Sequence, residues 1–187
     1  MAPPFRLLVV CTANICRSVM AERLLRRAVA ERGLAVEVSS CGLLFDGEPA
    51  SDTVIAVLDE RGIDARDHRS RRFTPALLAD IDLVVTMERM HARELAVALD
   101  GASPRIHTLG SIVAWLDQQE ADDRSPADLV AAFAAERKSS DLLGGGPDEV
   151  DDPHGRSKRV HRRTAERLEQ LTGSLVDGLF GAAPMVD

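Results

Sequence analysis

Short apolar runs alternate with stretches of helical spacing along most of the chain, and this alternation limits the fold more than any other feature. Continuous apolar runs suit strands buried on both faces, and such strands lie parallel with helices joining them. Residues 5–10 (Phe-Arg-Leu-Leu-Val-Val) predict the first buried strand. Residues 19–32 then carry helical spacing through Met20, Leu24 and Ala28, closed by Gly33. Residues 34–39 predict a second strand. Ser51 is placed to cap a helix with Val54, Val57 and Leu58 on its apolar face, stopped by Gly62. Thr74 and Pro75 open a short helix. Residues 83–85 predict a third strand, 88–99 a helix, 105–109 a fourth strand, and 157–179 a long final helix. The expected fold is α/β: a four-stranded parallel sheet, doubly wound, with helices on both faces.

One region breaks the rhythm. Residues 117–150 hold a helix predicted from Ser125 and Pro126 to Lys138, followed by Ser-Ser and Gly-Gly-Gly. Its alanine-rich face is thin for a core element, so it reads as a surface insertion in a single domain spanning 1–187, mobile around Gly144 to Gly146.

Composition narrows the partners. A formal net charge of -7 repels nucleic acid and anionic membrane surfaces, so an anionic substrate must be won by a local positive site. No stretch approaches the roughly 20 apolar residues of a membrane span. The apolar run from Phe5 to Cys11 is too short for a signal-peptide core. Three cysteines do not make a disulfide framework, and a reducing cytoplasm is expected.

The candidate site is the segment that joins the first strand to the first helix: Cys11-Thr12-Ala13-Asn14-Ile15-Cys16-Arg17-Ser18. In open parallel sheets, ligands bind where such loops leave the carboxyl ends of strands. A loop opening into a helix presents free amides and the positive end of the helix dipole. Seven residues from Cys11 to Arg17 can curl into an oxyanion nest, and the Arg17 fork matches two phosphate oxygens. The same positive field favours a nucleophilic sulfur at Cys11. A cysteine and an arginine six positions apart mean little alone, since Cys11 could be a small buried hydrophobe. Their place at a strand-to-helix junction, with Asn14 inside and Ser18 after, favours chemistry.

At these residues the chain resembles the low-molecular-weight protein tyrosine phosphatases. The signature reads VCTANICRS, and the similarity continues through Ser39-Ser40-Cys41-Gly42, Gly47-Glu48-Pro49-Ala50, Asp67-His68-Arg69-Ser70-Arg71, residues 82–87 and Asp152-Pro153. The resemblance implies that Cys11 attacks phosphorus to form a phosphocysteine, with Asp152 as general acid and then base. It implies that Arg17 and the loop amides stabilise the equatorial oxygens, Asn14 braces the loop, and Ser18 hydrogen-bonds the sulfur. No metal or cofactor is expected. Asp152 is chosen over Asp151 because Pro153 holds the preceding residue extended. Cys16 either packs or, as the family suggests, forms a reversible disulfide with Cys11; Cys41 reads as structural.

Tyrosine-directed relatives wall the pocket with aromatics, where this chain offers Leu43, Leu44 and Phe45 and then His154-Gly155. Ile15 resembles the tyrosine branch rather than relatives that act on phosphoarginine. The expected substrate is a phosphorylated protein or a small aryl phosphate, and the expected state a monomer or weak homodimer. His68, His91, His107 and His161 show no ligand spacing and read as packed or surface residues. Arg69, Arg71 and Arg72 read as a solvated basic loop, and Trp115 as packing at the core margin. Two other functions share the loop: a phosphate-binding module without turnover, and a thiol-dependent arsenate reductase. The latter requires two relay cysteines, and only Cys41 remains outside the loop.

Overall fold

The computed structural model describes residues 3–99, 103–120, 123–138 and 146–181. Four parallel strands form one sheet in the order β2-β1-β3-β4: β1 (Phe5–Cys11), β2 (Val36–Gly42), β3 (Leu83–Thr86) and β4 (Ile106–Thr108). β1 is central, and alternate residues serve opposite faces. Leu7 and Val9 join the larger core with α1 (Arg17–Glu31), α2 (Asp52–Asp59), α4 (Leu109–Leu116), α5 (Pro126–Glu136) and α6 (Lys158–Phe180). Leu8 and Val10 join a smaller core with Ala92 and Leu95 of α3 (Arg89–Ala98). Helices therefore cover both faces, unequally. The strand order reverses between β2 and β3, which places the switch point at the carboxyl ends of β1 and β3.

The long helix α6 buries Leu168, Leu171, Leu175, Val176 and Leu179. Each such side chain contributes about 1.5–3 kcal/mol relative to exposure. Predicted elements fall within a few residues of observed ones, with two differences. Thr74 and Pro75 open a 3-10 turn, Pro75–Leu78. The expected fourth strand stops at Thr108, whose hydroxyl accepts from the Ser111 amide and starts α4, a helix absent from the sequence reading.

Within the region 117–150, expected to be a surface insertion, the described helix α5 packs into the core. Ser125 caps α5 reciprocally with Asp128, as the Ser-Pro start predicts. Leu129, Val130 and Phe133 are buried in the larger core, and Phe133 packs against Trp115 with ring centroids 5.4 Å apart. The Trp115 indole N–H donates to Glu136 at 2.8 Å. Gly144 and Gly145, where mobility was expected, lie outside the described residues. A Cβ on Gly146 would lie 2.4 Å from Asp148 Oδ1 and 2.6 Å from Arg89 Nη2. Among the described residues no helix is long and apolar enough to cross a membrane.

Candidate active site

β1 ends at Cys11, and α1 begins at Arg17, so the five intervening residues close the loop over the carboxyl edge of the sheet. Asn14 takes a left-handed conformation, φ 54°, which short polar side chains tolerate. Its side chain is fully engaged. Nδ2 donates to Ser18 Oγ at 2.9 Å and to Ser40 Oγ at 2.8 Å, and Oδ1 accepts from the Arg71 amide at 2.9 Å. The Asn14 carbonyl accepts from His68 Nε2 at 2.7 Å. Ser40 in turn donates to the buried carboxylate of Glu22. Gly42 must be glycine here, because an added Cβ would lie 2.7 Å from the Asn14 nitrogen.

Ser18 Oγ receives the Asn14 hydrogen, which leaves its own hydrogen for Cys11 Sγ, 3.0 Å away. The network thus ends by presenting one O–H donor to the sulfur. Arg17 is 2% exposed, and such a buried charge requires partners. Nη1 pairs with Glu88 and donates to the Val150 carbonyl at 2.9 Å. Nη2 donates to Asp152 Oδ2 at 2.9 Å and to Thr12 Oγ1 at 3.3 Å. Asp152 Oδ1 accepts from the His154 amide at 3.0 Å, which orients the carboxylate toward the loop.

These residues surround a pocket of about 240 Å³ lined by Cys11, Thr12, Ala13, Ile15, Cys16, Arg17, Leu44, Phe45, Asp152 and His154. The amides of Leu43 and Leu44 donate to the Thr12 carbonyl at 2.8 and 3.1 Å, tying the rim to the loop between β1 and α1. Leu44 and Phe45 remain exposed at the mouth. The site residues expected from sequence therefore converge, with Asn14 and Ser18 behind the pocket as braces. Cys16 and Cys41 are buried free thiols, and burial foremost pushes each up to about 12, which keeps both protonated. Among the described residues no group of three or more His, Cys, Asp or Glu side chains converges as a metal site.

Glu88, Glu22, His68, His91 and Ser40 also take part in the site, and none of them stands out as a site residue in the sequence. Arg71 is exposed, as expected of a solvated loop, and its guanidinium also donates to the Ser40 carbonyl at 3.0 Å. The only sequence signal for Glu88 and His91 was their position just after a predicted strand, three residues apart at a helix start.

A cysteine and an arginine lining one pocket from a strand-to-helix loop, at the switch point of a doubly wound parallel sheet, define the class of cysteine-dependent phosphatases. The chain belongs to the low molecular weight phosphotyrosine protein phosphatase family, whose model matches residues 6–138. It is 34% identical over 118 residues to the probable low molecular weight protein-tyrosine-phosphatase AmsI of Erwinia amylovora, covering 63% of this chain and 77% of that protein. A low molecular weight protein tyrosine phosphatase structure from T. tengcongensis superposes with a TM-score of 0.72 at 30% identity, covering 92% of this chain and 98% of that one. The YwlE arginine phosphatase of Geobacillus stearothermophilus superposes with a TM-score of 0.69 at 27% identity, covering 93% and 92%. Asp152 lies beyond the residues that the family model matches.

Proposed function

We propose that the protein hydrolyses aryl phosphate monoesters, phosphotyrosine in proteins among them, with Cys11 as nucleophile and Asp152 as general acid. The observation that carries this reading is convergence: Arg17 Nη2 and Asp152 Oδ2 meet at 2.9 Å across 135 positions of sequence, on the pocket that also holds Cys11. An entering phosphate takes the Arg17 Nη2 hydrogen that faces Asp152, while the other stays on Thr12, and the amides of 12–17 add further donors. Cys11 sulfur attacks phosphorus, the S–P bond forms, and the P–O bond to the leaving group breaks. Asp152 gives its proton to the departing oxygen. Water then attacks phosphorus while Asp152 takes its proton, the S–P bond breaks, and inorganic phosphate leaves. The Ser18 hydrogen bond stabilises the departing thiolate.

Ile15, Leu44 and Phe45 give the pocket apolar walls suited to an aromatic ring, which favours an aryl phosphate over a phosphorylated guanidine. Free buried thiols support a reducing cytoplasm as the place of action. Turnover of a small aryl phosphate at pH 5 to 8 under reducing conditions tests the assignment. Cys11→Ser should abolish turnover, and Asp152→Ala should lower kcat by about 10²–10⁴. A wild type that binds phosphate without turnover would leave a binding module. Loss with Asp151→Ala but not Asp152→Ala would move the acid by one residue.

A further inference from the structure

His91 has no part in the reaction above, yet it is wholly buried in the first turn of α3, beside the phosphate loop. Both ring nitrogens are engaged. The Glu88 amide lies 3.1 Å from Nδ1, and an amide N–H can only donate. Nδ1 is therefore the acceptor, and the neutral ring carries its hydrogen on Nε2. That hydrogen meets Thr12 Oγ1, 2.9 Å away. Burial foremost, with Arg17 nearby, pushes the imidazole down to about 4, which keeps this neutral tautomer in place at working pH.

Thr12 Oγ1 thus receives two N–H donors, His91 Nε2 and Arg17 Nη2. A hydroxyl has two lone pairs and one hydrogen, so both acceptor positions are filled. Among the described residues, the Thr12 hydrogen has no acceptor. Thr12 lines the pocket together with Cys11, Arg17 and Asp152, where a ligand oxygen is the remaining acceptor.

We propose that Thr12 donates its hydroxyl hydrogen to a phosphoryl oxygen in the pocket, and that His91 is the positioning residue that holds Thr12 in this donor role. A hydroxyl free to rotate can turn a lone pair toward an anion, whereas one that already accepts from His91 and Arg17 can only donate. Donation from Arg17 and His91 also polarises the Thr12 O–H and strengthens its bond to an oxyanion. The proposal rests on the phosphate site assigned above, and it adds a side-chain donor to the loop amides and the Arg17 fork.

Protection of Cys11 from alkylation by inorganic phosphate reads occupancy whether or not substrate is turned over. Inhibition of aryl phosphate hydrolysis by inorganic phosphate gives a second reading. Thr12→Val, close to isosteric but without the hydroxyl, should weaken phosphate about tenfold, while Thr12→Ser should stay near wild type. The two His91 nitrogens can be tested separately. His91→Asn keeps an acceptor near Nδ1 for the Glu88 amide but loses the donor to Thr12. His91→Gln places an amide N–H near Nε2. His91→Asn should therefore weaken phosphate roughly three- to tenfold, His91→Gln should retain most of the affinity, and His91→Asn should add little in a Thr12→Val background.

Unchanged phosphate affinity in Thr12→Val overturns the proposal, and this variant stands even if the buried His91 substitutions fail to fold. Equal loss in His91→Asn and His91→Gln, or additive loss in the double variant, removes His91 from the positioning role. A wild type that phosphate protects but that does not hydrolyse aryl phosphate sinks the phosphatase assignment while leaving the Thr12 contact standing. A wild-type Cys11 that phosphate fails to protect overturns both.

Discussion

Asn14 ties three parts of the molecule to Cys11 through Ser18. Its amide reaches Ser18 in the loop and Ser40 in β2, and its side-chain oxygen holds the Arg71 amide. Alanine at this position would remove all three bonds, strand buried partners, and place a less tolerant residue in the left-handed region. Asn14→Ala should cost about 2–4 kcal/mol in urea unfolding, and should lower turnover because Ser18 loses its orientation. Unchanged stability would mean that water replaces the amide. Asn14→Asp keeps the shape but replaces the Nδ2 donor with an acceptor facing Ser18 and Ser40, so turnover should fall at least as far.

At the level of single elements, α5 separates a decorative insertion from a structural one. Its apolar face is short, but Phe133 sits between Trp115 and His107, with centroids 5.4 and 4.6 Å away. Phe133→Ala should lower the unfolding free energy by about 3 kcal/mol, whereas a solvated helix would lose almost nothing. Chemical denaturation distinguishes the two. α4 carries the matching lesson. Its sequence, LGSIVAWL, is so uniformly apolar that no face stands out, and it follows a three-residue strand with no intervening loop. Periodicity has little to act on there, and only the Thr108 hydroxyl marks where strand becomes helix.

Across the whole molecule, the segment that carries Asp152 is docked onto the switch point rather than merely near it. The Val150 amide donates to the Met87 carbonyl at 2.8 Å, and the Arg89 amide donates to Glu149 at 2.8 Å. Asp148 pairs with Arg89 at 2.7 Å and accepts from the Thr108 hydroxyl at 2.7 Å. Burial pushes the Asp148 carboxyl up, but the Arg89 and Thr108 hydrogen bonds outweigh it and hold the group below its ordinary value. Asp148→Asn should loosen this docking and lower kcat several-fold while phosphate inhibition changes little, since Asp152 is displaced and the loop is not. Equal changes in both would place Asp148 in phosphate binding instead.

Two buried imidazoles set an acid limit on the same assembly. Burial foremost pushes His91 and His107 from an ordinary 6.5 down to about 4, with Arg17 and Arg137 acting in the same direction. Each therefore binds its proton more weakly in the folded chain than in the unfolded one. Their contribution to stability is complete above about pH 6.5 and is lost as pH falls toward and through 4. The melting temperature should drop across that window, and His107→Gln should make the drop shallower. A melting temperature flat from pH 6.5 to 4 would contradict this.

The parallel sheet, its helices and the loop from Cys11 to Ser18 were legible in the chain because each is local. Strand and helix periods are set within a few residues, and the nest needs only seven consecutive positions between a strand and a helix. Asp152 stood out in the chain only through its proline and the family resemblance. Glu88, His91, His68, Ser40 and Glu22 did not, because each acts through a partner dozens of residues away or through one brought close by strand pairing. Placing β1 between β2 and β3 brings Ser40 to Asn14, and Glu88 and His91 to Arg17 and Thr12. Burial there removes water as a competing partner, so the hydrogen bonds of those side chains are settled by packing and not by their neighbours along the chain.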